Sequence, residues 1–149
     1  MNRAPALIAA AIVAAVLAGC SSGPPPVKSH GTITLMANPL GGDPVSEAYP
    51  DVTDGSQVII TDSSGKVIGT GTLSPDIGQE SVLRQMTAAS LKVDADLLAP
   101  DIVVYQFAVT VPGGLDRYGV KVGQNRGTIY ETAKEMKNGP SLTLGSLSG

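Results

Sequence analysis

Ile102-Val103-Val104-Tyr105-Gln106-Phe107-Ala108-Val109-Thr110-Val111 decides the fold of this chain. Neither Gly nor Pro interrupts the stretch, and Pro112-Gly113-Gly114 ends it. β-Branched and aromatic side chains of this kind suit a pleated, half-buried surface. Read at a period of two, Val103, Tyr105, Phe107, Val109 and Val111 share one face, and Gln106 and Thr110 lie on the other. Phe107 is the only Phe and Trp is absent, so Val, Ile, Leu and Ala must build most of the core.

The same alternation recurs on both sides of this strand. Downstream, Tyr118, Val120 and Val122 alternate, Gly123 to Gly127 turns the chain, and Thr128 to Tyr130 is a short strand. Glu131 to Lys137 reads as a helical turn stopped by Asn138-Gly139-Pro140, before Leu142 and Leu144 share a face in Ser141 to Gly145. Upstream, Gly31 to Met36 sets Ile33 and Leu35 against Thr32, Thr34 and Met36. Residues 38–55 are dense in Gly, Pro, Asp and Ser and read as loop. Ser56 to Thr61 and Lys66 to Leu73 form a hairpin across Asp62-Ser63-Ser64-Gly65. Gly69 and Gly71 in its second arm mark a bulge or a close backbone approach. About seven short strands separated by turn residues predict a single all-β sandwich.

Ser74 to Pro100 breaks the rhythm. Ser74-Pro75 can open a helix, with Pro in the tolerated first turn. Val82, Met86, Ala89 and Val93 fall at helical spacing and predict a short amphipathic helix around residues 80–91. The segment 74–100 therefore reads as a helical insertion, and Val82, Leu83, Met86, Leu91, Leu97 and Leu98 could make it a lid.

The N-terminus carries a different signal. Arg3 precedes Ala6 to Ala18, a run without a polar residue, and Leu17-Ala18-Gly19-Cys20 follows with the only cysteine of the chain. The run suits a signal-peptide core of about 7–15 residues and falls short of the roughly 20 needed to span a bilayer. The four residues resemble the lipobox of bacterial lipoproteins. Small residues let an extended backbone enter a signal-peptidase cleft, and a thiol readily forms a thioether with diacylglycerol. The resemblance implies a signal peptide over residues 1–19, cleavage after Gly19 and lipid on Cys20. An uncleaved anchor or an ordinary secretory signal is the alternative, but the sole Cys occupies the one position a lipobox requires. Residues 20–29, rich in Pro, then read as a lipidated N-terminus and extended tether, and residues 30–149 as the sandwich domain.

Cleavage after Gly19 leaves 130 residues, enough for one domain with a core. Loss of Arg3 leaves 9 Lys and Arg against 13 Asp and Glu, a formal charge of −4. No basic patch stands ready to neutralise phosphates, so nucleic acid is not an expected partner. With lipid on Cys20, the mature domain has no thiol for an internal disulfide, and packing alone must hold it.

A search for chemistry finds little. His30 is the only histidine, stands at the end of the Pro-rich stretch, and has no partner at catalytic or ligand spacing. Gly-x-Ser-x-Gly and the phosphate-binding Gly-x-x-x-x-Gly-Lys motif are absent. Asp51-Val-Thr-Asp54-Gly55 lacks the alternating acids and closing Glu of a calcium loop. Asp94, Asp96 and Asp101 could gather round a cation but read more simply as a solvated loop. Arg117, Lys121 and Arg126 could form a small basic patch for anionic lipid heads or glycans, but read more simply as polar residues on the outer face of a strand pair. No catalytic residue, metal or cofactor is expected; the one site residue is Cys20, for lipidation.

Asp54-Gly-Ser-Gln-Val, Thr61 to Leu73, Tyr105-Gln-Phe-Ala-Val-Thr-Val-Pro112, Tyr118 to Val122, Arg126 to Tyr130 and Leu142 to Gly145 come in an order that resembles small extracytoplasmic lipoproteins and secreted proteins of actinobacteria. The cysteine pair that many such proteins carry has no counterpart here. The Phe-x-Val-x-Val-Pro…Tyr-x-Val-x-Val rhythm is similar to immunoglobulin-like or prealbumin-like sandwiches, a likeness of fold and not of chemistry. The expected function is a non-enzymatic interaction or structural module, held by lipid at the outer side of the cytoplasmic membrane and facing an envelope protein or lipid. The alternative is an extracytoplasmic carrier of a small apolar or lipidic ligand, which requires an apolar pocket beneath residues 80–98.

Overall fold

Ten residues without a turn former make a strand long enough to organise a whole sheet, and the chain folds around it. The computed structural model describes residues 23–37, 43–99, 101–124 and 126–145. Residues 1–19, Cys20 and the first residues of the Pro-rich stretch lie outside the described residues. In chain order the elements are β1 (Val27–Met36), α1 (Val45–Ala48), β2 (Gln57–Thr61), β3 (Val67–Thr72), β4 (Ser74–Pro75), α2 (Ile77–Leu91), a 3₁₀ turn (Ala95–Leu98), β5 (Ile102–Val111), β6 (Arg117–Val122), β7 (Ile129–Thr132), α3 (Ala133–Asn138) and β8 (Ser141–Leu144).

The strands form two four-stranded sheets, ordered β4-β5-β1-β8 and β3-β2-β6-β7. β1 and β5 pair antiparallel from Val27 opposite Val111 to Met36 opposite Ile102. β8 runs parallel to β1, and the other pairings are antiparallel. The architecture is an all-β sandwich, with eight strands rather than seven because Ser74 and Pro75 pair with Gln106 and Tyr105. The chain changes sheets across the buried Leu73, from β3 in one to β4 in the other.

Between the sheets lie Ile33, Leu35, Val58, Ile60, Phe107, Val109, Val111, Tyr118, Val120, Val122 and Leu142, as the alternation in sequence requires. Phe107 faces Gly31 across the β1–β5 pair, and a Cβ at Gly31 would overlap the ring. Tyr118 is fully buried and donates its hydroxyl to the Pro112 carbonyl at 2.8 Å, so its polar end is satisfied. The Asp62 carboxylate accepts the Ser64 and Lys66 amides and closes the β2–β3 turn. α3 begins on a capping box between Thr132 and Glu135, buries Met136 and ends at Gly139, whose φ is +92°. Gly71 marks a close approach: a Cβ there would lie 2.7 Å from the Ala108 carbonyl oxygen.

The sandwich has two distinct ends. The start of β1, the loop after Val111, the Asp62–Lys66 turn and α3 gather at one end. Met36, Ile102, Val122, α1 and the 3₁₀ turn gather at the other.

Several expectations need correction. β1 begins at Val27, not near His30, because Val27 to Ser29 pair with Val111 to Val109 and Ser29 is buried. Before it, Pro24 and Pro25 lie against Gly114 and Gly113. Val27 to Ser29 therefore belong to the sheet and not to the tether expected over residues 20–29. The region read as loop contains α1 and buries Val45 and Val52. Ser74-Pro75 is strand, and Asp76 caps α2 by accepting the Gln79 amide at 3.1 Å.

The insertion packs on the outer face of the β5 sheet, where Ala88 and Leu98 meet Ile102 in a second small core. The helical face differs from the one expected. Val82 and Met86 are 53% and 66% exposed, while Thr87 and Ala88 are buried. A sheet surface already carrying Ile102 and Val104 takes Thr87 and Ala88 at the closest approach, and of the residues read as a lid only the half-buried Leu83 and the buried Leu98 face inward.

Candidate functional site

The outer face of the β5 sheet is only half covered by α2. Its other half is an open trough of about 650 Å³. Outward-facing His30 and Thr32 of β1 and Gln106 and Ala108 of β5 form its floor, and Thr70 and Thr72 of β3, with Ser74, form its wall. The wall exists because Gly69 and Gly71 carry no side chain. That lets β3 close against the edge of β5 and turns the intervening threonines outward. The Thr-Gly-Thr alternation was the sequence signal for this wall.

The trough offers hydroxyls, an amide and one exposed imidazole, and its lining includes no carboxylate or thiol. His30 stands in a paired strand opposite Ala108, and Lys28 shares an adjoining shallow depression with it. Such a surface can donate and accept hydrogen bonds along an extended polar partner.

Beside α2, a smaller cleft of about 200 Å³ is lined by Thr32, Thr34, Gln79, Leu83, Val104 and Ser141. It is as much polar as apolar. Between the sheets, the gap beside Ile33, Val120, Val122, Leu142 and Leu144 amounts to only about 10 Å³. The sheets are closely packed at that place.

Other residues singled out in the sequence are placed as follows. Asp51 accepts the Gln124 amide at 2.7 Å and pairs with Arg126 at 2.8 Å. The Arg126 guanidinium holds the Asp51 carboxyl below the usual carboxylate range, aided by the Gln124 amide. Arg126 also lies 4.6 Å from the Tyr49 ring centroid. Arg126 is therefore committed to fastening its segment to the loop before β2, and it does not join Arg117 and Lys121, which are exposed on β6. Asp94 caps the 3₁₀ turn through the Asp96 amide at 3.0 Å. Among the described residues, no three His, Cys, Asp or Glu side chains gather as a metal site, and no helix is long and apolar enough to cross a membrane.

At the α3 end, burial and the neighbouring Glu135 push the Glu131 carboxyl up, while the Thr132 amide and hydroxyl hold Glu135 down. No family model, curated protein or solved structure matches the chain.

Proposed function

We propose that this chain is a lipid-anchored lipoprotein of the cell envelope, fixed to the outer side of the cytoplasmic membrane through Cys20, and that its sandwich is a non-enzymatic interaction or structural module. The anchor rests on Leu17-Ala18-Gly19-Cys20 after the apolar run. Two acyl chains suffice for stable attachment at about 0.8 kcal/mol per buried CH₂.

One observation favours an interaction module over a carrier. α2 seats its small residues on the sheet and turns Val82 and Met86 outward, and Leu97 beyond it is 67% exposed. A lid would do the opposite, facing its apolar residues onto a chamber, and the space beneath α2 is a half-polar cleft. An immunoglobulin-like or prealbumin-like sandwich is the finer reading of the fold, and the likeness to actinobacterial lipoproteins agrees with the anchor.

The anchor is tested by Cys20→Ser. The variant is expected to remain unprocessed or to be released, and a mature, membrane-bound product of wild-type size would refute the lipoprotein reading. The module is tested by proximity labelling from the anchored protein, with and without Val82→Lys and Met86→Lys together. The neighbours labelled by the wild type should be lost in the variant; an unchanged set would rule out α2 as the contact face.

A further inference from the structure

Charge is unevenly distributed between the two ends of the sandwich. The end where the chain enters holds Lys28, Lys66, Arg117, Lys134 and Lys137 against Asp62, Asp116, Glu131 and Glu135. The remainder holds Arg84, Lys92, Lys121 and Arg126 against nine carboxylates, from Asp43 to Asp101. The whole negative balance of the domain therefore lies away from its point of entry. The five entry-end cations are all exposed, and Val67 beside them is 55% exposed.

The chain also enters close to its anchor. Pro24 and Pro25 already lie against the Gly113–Gly114 corner. Only four peptide units separate Cys20 from Pro24, and at about 3.3–3.6 Å per residue they reach no farther than ~14 Å. We infer that the entry end of the sandwich, with α3 and the β2–β3 turn, is seated on an anionic lipid surface through Lys66, Arg117, Lys134 and Lys137, and that the acidic end with α2 is held away from it. This inference rests on the lipid anchor at Cys20.

Distances decide which charges matter. The entry-end cations sit within reach of headgroups, where juxtamembrane lysines are attracted to an anionic leaflet. The ten residues of β1 at about 3.3 Å each place the acidic end ~30 Å farther out, several times the ~8 Å screening length at physiological salt. Its repulsion is screened, and what acts on the headgroups is the near end, where five exposed cations outnumber four carboxylates by one. Seated in this way, the domain presents Val82, Met86 and Leu97 to the envelope rather than to the bilayer.

The test uses the mature lipidated protein on phosphatidylglycerol vesicles, on phosphatidylcholine vesicles and in detergent. Lysines are acylated briefly, and the extent at each is read by mass spectrometry. Lys66, Lys134 and Lys137 should react several-fold more slowly on phosphatidylglycerol than in detergent, while Lys92 and Lys121 keep their rates. Protection on phosphatidylcholine should be weaker, and Lys134→Gln with Lys137→Gln should remove most of the protection of Lys66. Uniform rates, or protection centred on Lys92, would overturn the seating; equal protection on both lipids would overturn its electrostatic basis. The mass of the N-terminal peptide separates the two readings. Without diacylglycerol on Cys20, both anchor and seating fall; with it, uniform lysine rates defeat the seating alone.

Discussion

A side chain of Phe107's volume fits this core because the residue opposite it has none. Gly31 faces the ring across the β1–β5 pair, and Phe107 is 3% exposed. Truncating a buried Phe to Ala costs about 3–5 kcal/mol, much of a domain's typical 5–15 kcal/mol. Phe107→Ala should therefore shift the urea midpoint far down or unfold the domain. Gly31→Ala should also destabilise, by about 1–3 kcal/mol through overpacking, and should cost less when combined with Phe107→Leu. A double-mutant cycle reads this coupling, expected at about 0.5 kcal/mol or more; strict additivity would show that the two residues do not compete for the same space. His30→Ala, one position from Gly31 but on the open face, should leave the midpoint nearly unchanged.

At the scale of the element, strands were more legible than the helix, and the reason is physical. Each strand's face follows from its own alternation, because the two sides of a pleat are fixed by the backbone. Ile33, Tyr118, Val120 and Leu142 all lie inward on the faces that their alternation sets. A helix lies on whatever surface it meets, and α2 meets one where bulk is already supplied by Ile102 and Val104. Val82 and Met86 therefore face out, and the residues that fit the sheet are Thr87 and Ala88, with Leu83 half-buried beside them. The trough was legible only as Gly69 and Gly71, since its wall and floor come from strands distant in sequence. The helix makes a sharp prediction. Val82→Lys and Met86→Lys should each change stability by less than about 0.5 kcal/mol, as surface substitutions do. Leu98→Ala should cost about 2–5 kcal/mol, because Leu98 is 2% exposed within the second core. Denaturant titrations of the three variants check the order, and a reversed order would restore the sequence-predicted face.

For the whole molecule, the deciding question is where the cooperative unit begins. Composition and the Pro-rich stretch placed the boundary at residue 30, because Val27-Lys28-Ser29 is too short to show a pattern of its own. Its structure comes from its partners: Val27, Lys28 and Ser29 complete the ladder with Val111, Thr110 and Val109. β1 is an inner strand, paired with β5 on one side and β8 on the other, so the whole sheet depends on it. A chain beginning at Gly23 keeps every one of these pairs, whereas a chain beginning at His30 loses about three ladder hydrogen bonds, each worth roughly 1 kcal/mol net. It also loses the cover that Ser29 and the half-buried Val27 give to the core end of β5. The His30 chain should therefore be destabilised by about 3 kcal/mol or more, with a single, lower thermal transition, while the Gly23 chain should melt as the longer one does. Both transitions should be indifferent to reductant, since neither chain contains a cysteine. Equal midpoints would place Val27–Ser29 outside the cooperative unit. The expected tether would then keep its ten residues, and the seating proposed for the entry end would lose its geometric basis.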